Sequence, residues 1–291
     1  MKKFVFFTAI AAALLAVSSC KEKPIDNPEV LPAPANASYA KKLILEDNDE
    51  NIESIELTEG GRYIITLLVD NPSNSAPTKA GGKSVKHLIG TYTVEGNTFT
   101  LKGWGSITID ANILTIILEN GKTFKVGFTV GAQAPGSNSN DFYTTIARSW
   151  KVDNSRVSVN ADGQTVTVTK PGCDLPSVAA ELANKGVKID PSRAAGYVVK
   201  EVTFTKSKTF SVSFTGQPAF VGDFDLKADN TFTYNFDGVS GNDFFNASSN
   251  GSVNYVAEDQ QLVLSVSAVI KNVDNTKTYS GSVTLYMSEA K

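Results

Sequence analysis

Histidine is nearly absent from this 291-residue chain: His87 is the only one. That excludes multi-histidine metal centres and leaves any histidine-based triad a single candidate. Cysteine is almost as scarce, with Cys20 and Cys173 alone, so no disulfide framework is expected. Positive charge is not in excess either, since 27 Lys and Arg face 30 Asp and Glu for a net charge of −3. A nucleic-acid partner needs a dense basic footprint and is excluded on that ground. Lys79-Ala80-Gly81-Gly82-Lys83-Ser84 ends like a phosphate-binding loop, but Pro77 stands where its first glycine belongs. The acidic run Glu46 to Asn51 is followed by Ile52, where a calcium loop needs glycine. No nucleophile elbow, metal-ligand spacing or assignable pair of acids occurs, so the chain is expected to be no enzyme and to need no cofactor.

The one long apolar run, Phe4 to Val17, follows the basic pair Lys2-Lys3 and precedes the small residues Ser18-Ser19. It is too short for a bilayer core of about 30 Å and reads as an export signal over residues 1–19. The stretch Leu15-Ala16-Val17-Ser18-Ser19-Cys20 resembles a bacterial lipobox, which implies that Cys20 carries lipid and holds the protein to a membrane, as an outer-membrane lipoprotein. Residues 20–38 hold Pro24, Pro28, Pro32 and Pro34 and no hydrophobic period. Such a tether favours an extended segment rising about 3.1 Å per residue, a reach of about 50 Å. Lys21-Glu22-Lys23 loosely resembles the charged export tags of Bacteroidetes surface lipoproteins, which implies exposure at the cell surface, with a periplasm-facing anchor and an ordinary soluble linker as the alternative.

Beyond the tether, short runs with period two and turn chemistry between them predict an all-β protein of two antiparallel β domains. They are read as residues 39–131 and 142–291, joined by the linker-like stretch 132–141. In the first, Ile55-Glu56-Leu57 leads through Glu59-Gly60-Gly61 into Tyr63 to Val69. Asn120-Gly121 between Ile113–Leu118 and Thr123–Val130 predicts a type I′ hairpin. In the second, Asn160-Ala161-Asp162-Gly163 separates Val157 and Val159 from Val166 and Val168. One helix is predicted from Leu175 to about Lys185, with Asp174 as its cap, Pro176 in its first turn and Gly186 as its stop. Cys173, beside that cap, reads as an inert thiol.

Ser149-Trp150-Lys151-Val152, followed by strands such as Leu226-Lys227-Ala228-Asp229-Asn230-Thr231-Phe232, resembles the lipocalin-like domains of Bacteroidetes lipoproteins. The resemblance covers mainly residues 142–291 and implies a barrel, with a sandwich as the alternative, whose early tryptophan seals one end. It also implies room for a small apolar or amphiphilic ligand and carries over no catalytic residue. Three side chains stand out as candidate ligand contacts. Trp104 is set between Gly103 and Gly105, and Phe244 and Phe245 lie in a loop rich in Gly, Asp and Asn. The functional expectation is a non-catalytic envelope protein that captures a small hydrophobic or glycan ligand. The alternative is a structural lipoprotein that docks to an outer-membrane or surface protein partner.

Overall fold

In the computed structural model the described residues are 31, 34–70, 83–133, 142–227, 230–237, 245–274 and 276–290, without the side chains of 245–249. The chain is all-β and forms two closed eight-stranded antiparallel barrels. The first runs in sequence order through β1 (Lys41–Leu45), β2 (Ile52–Leu57), β3 (Arg62–Asp70), β4 (Lys83–Glu95), β5 (Thr98–Leu101), β6 (Gly105–Asp110), β7 (Ile113–Leu118) and β8 (Thr123–Val130). β8 returns to pair with β1, Leu43 opposite Val130, so no edge is left open. β4 is long enough to turn the corner, pairing with β3 through Lys83–Thr91 and with β5 through Tyr92–Glu95. Period-two alternation points Leu43, Ile55, Leu57, Ile65, Phe99, Ile107, Leu114 and Ile116 into one buried cluster.

A short helix, α1 (Phe142–Ile146), leads into the second barrel. The ring is made of β9 (Ser149–Ala161), β12 (Val198–Phe204), β13 (Thr209–Phe214), β14 (Phe220–Leu226), β15 (Thr231–Phe236), β16 (Phe245–Val256), β17 (Gln261–Lys271) and β18 (Thr278–Glu289), and β10 (Gln164–Pro171) and β11 (Cys173–Asp174) extend the sheet outside it. β18 pairs with β9, and β9 closes the ring onto β12 at Ser149–Thr203 and Trp150–Val202. Farther along, β10 takes over the free side of β9, and β11 carries the connection across to β12.

Helix α2 (Leu175–Asn184) covers this junction. Asp174 caps it by accepting from the Ser177 backbone N–H at 3.0 Å. It stops in a Schellman arrangement, with Val187 N donating to Leu182 O (3.0 Å) and Gly186 N to Ala183 O (2.9 Å). Val178, Ala179 and Leu182 join the second core, while Lys185 Nζ donates to the Thr167 carbonyl on β10.

The two hairpin signals resolve differently. Asp162 and Gly163 both have positive φ, 51° and 84°, with Ala161 paired to Gln164, as a two-residue type I′ turn requires. At Asn120-Gly121 only Gly121 has positive φ. The N–H of Gly121 donates to Leu118 O and that of Leu118 to Lys122 O, both at 2.9 Å. The loop is therefore one residue longer, closed by a left-handed glycine rather than by the predicted type I′ pair. The described end of the tether also departs from a fully extended path. Residues 35–39 form turns, with Ala37 N donating to Pro34 O and Tyr39 N to Asn36 O, and Tyr39 packs edge-on against Phe99 at 5.9 Å.

The barrels pack side by side. Ser54, Glu56, Ile64 and Thr66 lie on the outer face of β2 and β3, yet all four are buried. Thr203, Thr205, Thr209, Ser211 and Val221 of the second barrel are buried in turn. Across the contact, Arg62 holds Glu201 through two nitrogens at 2.8 and 2.5 Å, and Thr209 Oγ1 donates to Glu56 Oε2 at 2.6 Å.

Candidate functional site

The interior of the second barrel is occupied by aromatic rings. Phe204 stacks on Phe210 at 4.8 Å between centroids, Phe224 meets Phe204 edge-on at 5.2 Å, and Phe232 meets Phe210 at 5.8 Å. Tyr143 extends the column beyond Phe224, and Phe236 extends it beyond Phe210. At the base Trp150 is fully buried. Its Nε1 donates to the Ile146 carbonyl at 2.9 Å, and the Arg148 guanidinium lies 5.8 Å from the ring centre. Packing of this kind fills the space in which a barrel would hold an apolar ligand.

The sequence candidates lie apart. Trp104 is half-buried against the first core, in the turn between β5 and β6, where its N–H donates to Leu101 O and its carbonyl accepts from Glu119 N. An open concavity of about 620 Å³ adjoins it, lined among others by Thr91, Thr100, Lys102, Ile117 and Glu119. Phe244 lies outside the described residues, as does the side chain of Phe245, whose backbone opens β16 in the second barrel. Trp104 and the backbone of Phe245 thus belong to different barrels.

Sequence reasoning missed a patch on the outside of the second barrel. Asn154 and Arg156 on β9, Thr167 and Thr169 on β10, Gln261 on β17 and Tyr286 on β18 line an open concavity of about 470 Å³. Strand pairing sets Asn154 opposite Tyr286, and Arg156 between Thr169 and Thr284. The outside of a barrel is normally convex. Here the β9–β18 register shifts between Tyr286 and Met287, a bulge that bends the strand and re-aims the side chains beside it. Ser288 Oγ donates to Asp153 Oδ1 at 3.0 Å at the same place. The only available signal was the alternation of polar residues along β9 and β10, which any solvated face shares. One half-buried aromatic ring, a guanidinium and two carboxamides on a shallow floor suit a hydroxyl-rich, weakly apolar ligand.

Other polar features are accounted for structurally. His87 sits on β4 with Nδ1 3.3 Å from Thr66 Oγ1. The acidic run turns between β1 and β2, where Asn48 bonds the Glu46 and Ile52 carbonyls and Glu50 pairs with Lys122. Cys173 is buried, and burial pushes its thiol up to about 12. The thiolate that reacts with disulfide reagents is then scarce at neutral pH. Folded protein is expected to leave Cys173 unlabelled by a maleimide or an aromatic disulfide, with full labelling after unfolding in guanidinium. Fast labelling of the folded protein would contradict this reading.

No family model, curated protein or solved structure matches this chain. The class defined here is a β-barrel protein with a fold compatible with ligand binding.

Proposed function

We propose that this is a non-catalytic, lipid-anchored protein of the bacterial outer membrane that binds a glycan on the outside of its second barrel. The observation that carries the reading is the contrast between the two sides of one sheet. The inner side is closed by rings from Phe204 to Tyr234, and the outer side opens on Asn154, Arg156, Gln261 and Tyr286. Apolar capture inside the barrel, which the lipocalin-like resemblance implies, loses its support to that packing. A sugar ring can lay a C–H face on Tyr286 and pair its hydroxyls with the carboxamides and Arg156. The Cys20 anchor, the export signal and display at the cell surface rest on residues 1–23.

The test is calorimetric titration of the full-length mature protein with a panel of soluble oligosaccharides. Binding by at least one member is expected, weakened about tenfold or more in Tyr286→Ala as a stacking partner is lost, with unfolding unchanged. If no member binds, or if binding survives both Tyr286→Ala and Arg156→Ala, the glycan reading falls and docking to an envelope protein takes its place. Cys20→Ala is expected to move the protein from the membrane to the soluble fraction.

A further inference from the structure

The seam between the barrels buries two carboxyl groups. Glu56 projects from β2 into it and Glu59 from the β2–β3 turn, both 2 % exposed. Glu56 Oε2 accepts from Thr209 and Glu59 Oε1 from the Lys206 backbone N–H at 3.2 Å. Glu56 Oε1 and Glu59 Oε2 have no hydrogen-bond partner among the described residues. The space left beside Glu56, Thr66, His87 and Thr209 is only about 10 Å³, room for about one water. A carboxylate there can neither hydrate nor pair fully.

The charged groups facing the two carboxyls come from both barrels. Lys42 on β1 lies 3.5 Å from Thr209 Oγ1 and 3.9 Å from Asp223. Lys206 lies beside Glu59, and Tyr92 donates to the Thr58 carbonyl next to it. His87 Nε2 is 3.8 Å from Asp237 Oδ2 across the seam. The pair Arg62–Glu201 holds the joint at one side through two charge-assisted hydrogen bonds. Gly60 fixes the closeness of the fit, since a Cβ there would meet Ser149 Oγ at 2.6 Å.

We propose that this seam is an acid-tightened joint, which locks the two barrels together in mild acid and loosens them as the pH rises through neutrality.

Burial raises both carboxyls, Glu56 above its ordinary value of 4.5 and Glu59 to about 7. A group held higher in the docked state than when solvated contributes docking that is present in full below 4.5. That contribution falls away as the pH rises toward and through about 7.

The experiment is thermal unfolding and small-angle X-ray scattering of the full chain from pH 5 to pH 8.5, comparing wild type with Glu59→Gln and Gly60→Val. Wild type is expected to melt lower, and to scatter as a longer particle, at pH 8.5 than at pH 5. Glu59→Gln keeps the shape and removes the charge, so it should flatten both profiles and melt above wild type at pH 8.5. Gly60→Val, which wedges the seam at Ser149, should scatter as a long particle at every pH and lose the dependence. A wild-type profile that Glu59→Gln leaves unchanged overturns the proposal. So does one that persists in a visibly opened Gly60→Val, since the dependence would then belong to the barrels themselves.

Discussion

Phe210→Ala is expected to lower the stability of the second barrel by about 3–5 kcal/mol, the usual cost of truncating a buried phenylalanine. For a domain of this size each kcal/mol moves the midpoint by about 2–4 °C, so the shift is easily read by calorimetry. The value should fall at the high end because Phe210 is 2 % exposed and makes ring contacts with Phe204, Phe232, Tyr234 and Phe236 at 4.8 to 5.8 Å. Its neighbours stand on β12 and β15, which limits how far the barrel can collapse around the hole. Phe210→Leu, which returns most of the volume, should cost distinctly less. The same variant also probes the filled interior. A small apolar compound such as benzene is expected to restore part of the midpoint in Phe210→Ala and to leave wild type unmoved, as a dry engineered cavity would allow. Stabilisation of wild type by such compounds would show a cavity where the rings now stand.

Much of this architecture was legible because its local and long-range signals agree. Phe210, Val212 and Phe214 alternate as a strand, and α2 carries its cap, its first-turn proline and its terminating glycine in sequence. What failed locally was a matter of turn geometry. Asn120-Gly121 and Asp162-Gly163 look equivalent in sequence, but only the second pair has positive φ at both residues. At the first, Leu118 and Lys122 also bond across the turn and lengthen the loop. The length of β4, across its change of partners, was likewise not apparent from local alternation.

The seam and the outer patch were illegible for a common reason. In Ile55-Glu56-Leu57 the alternation correctly points Ile55 and Leu57 inward, and a Glu between them reads as the wet face. Glu56 is instead covered by the second barrel. Apart from Ile64 and Val221 the contact residues named above are Ser, Thr and charged side chains, so no apolar outer stripe announces the contact. Asn154 and Arg156 show the converse, being exposed as their pattern suggests but drawn into a concavity by a bulge that periodicity does not encode. Which outer face meets a partner depends on tertiary placement, and period two does not carry that information.

Arg148→Met tests the base of the second barrel and is expected to cost about 2–3 kcal/mol, far more than removing its carboxylate partner. Arg148 is 1 % exposed. Its Nη1 donates to Glu289 at 3.0 Å, its Nη2 to the Thr144 carbonyl at 3.3 Å, and its guanidinium lies over Trp150. A desolvated cation over an indole contributes about 2 kcal/mol, and a hydrogen bond from a charged group about 1.5–3. Methionine keeps much of the bulk, so cavity formation is a small part of the loss. Glu289 is different, with 43 % of its side chain exposed. Glu289→Gln should therefore cost under about 1 kcal/mol, as exposed ion pairs do. The difference between the two variants, read by urea unfolding with Trp150 fluorescence as the probe in a Trp104→Phe background, separates the contributions. If Glu289→Gln costs as much as Arg148→Met, the ion pair holds the base. If the arginine variant alone is destabilised, the guanidinium acts through Trp150 and the last turn of α1. The second outcome follows from the burial, because a cation sealed between an indole ring and a helix carbonyl draws its stabilisation from them.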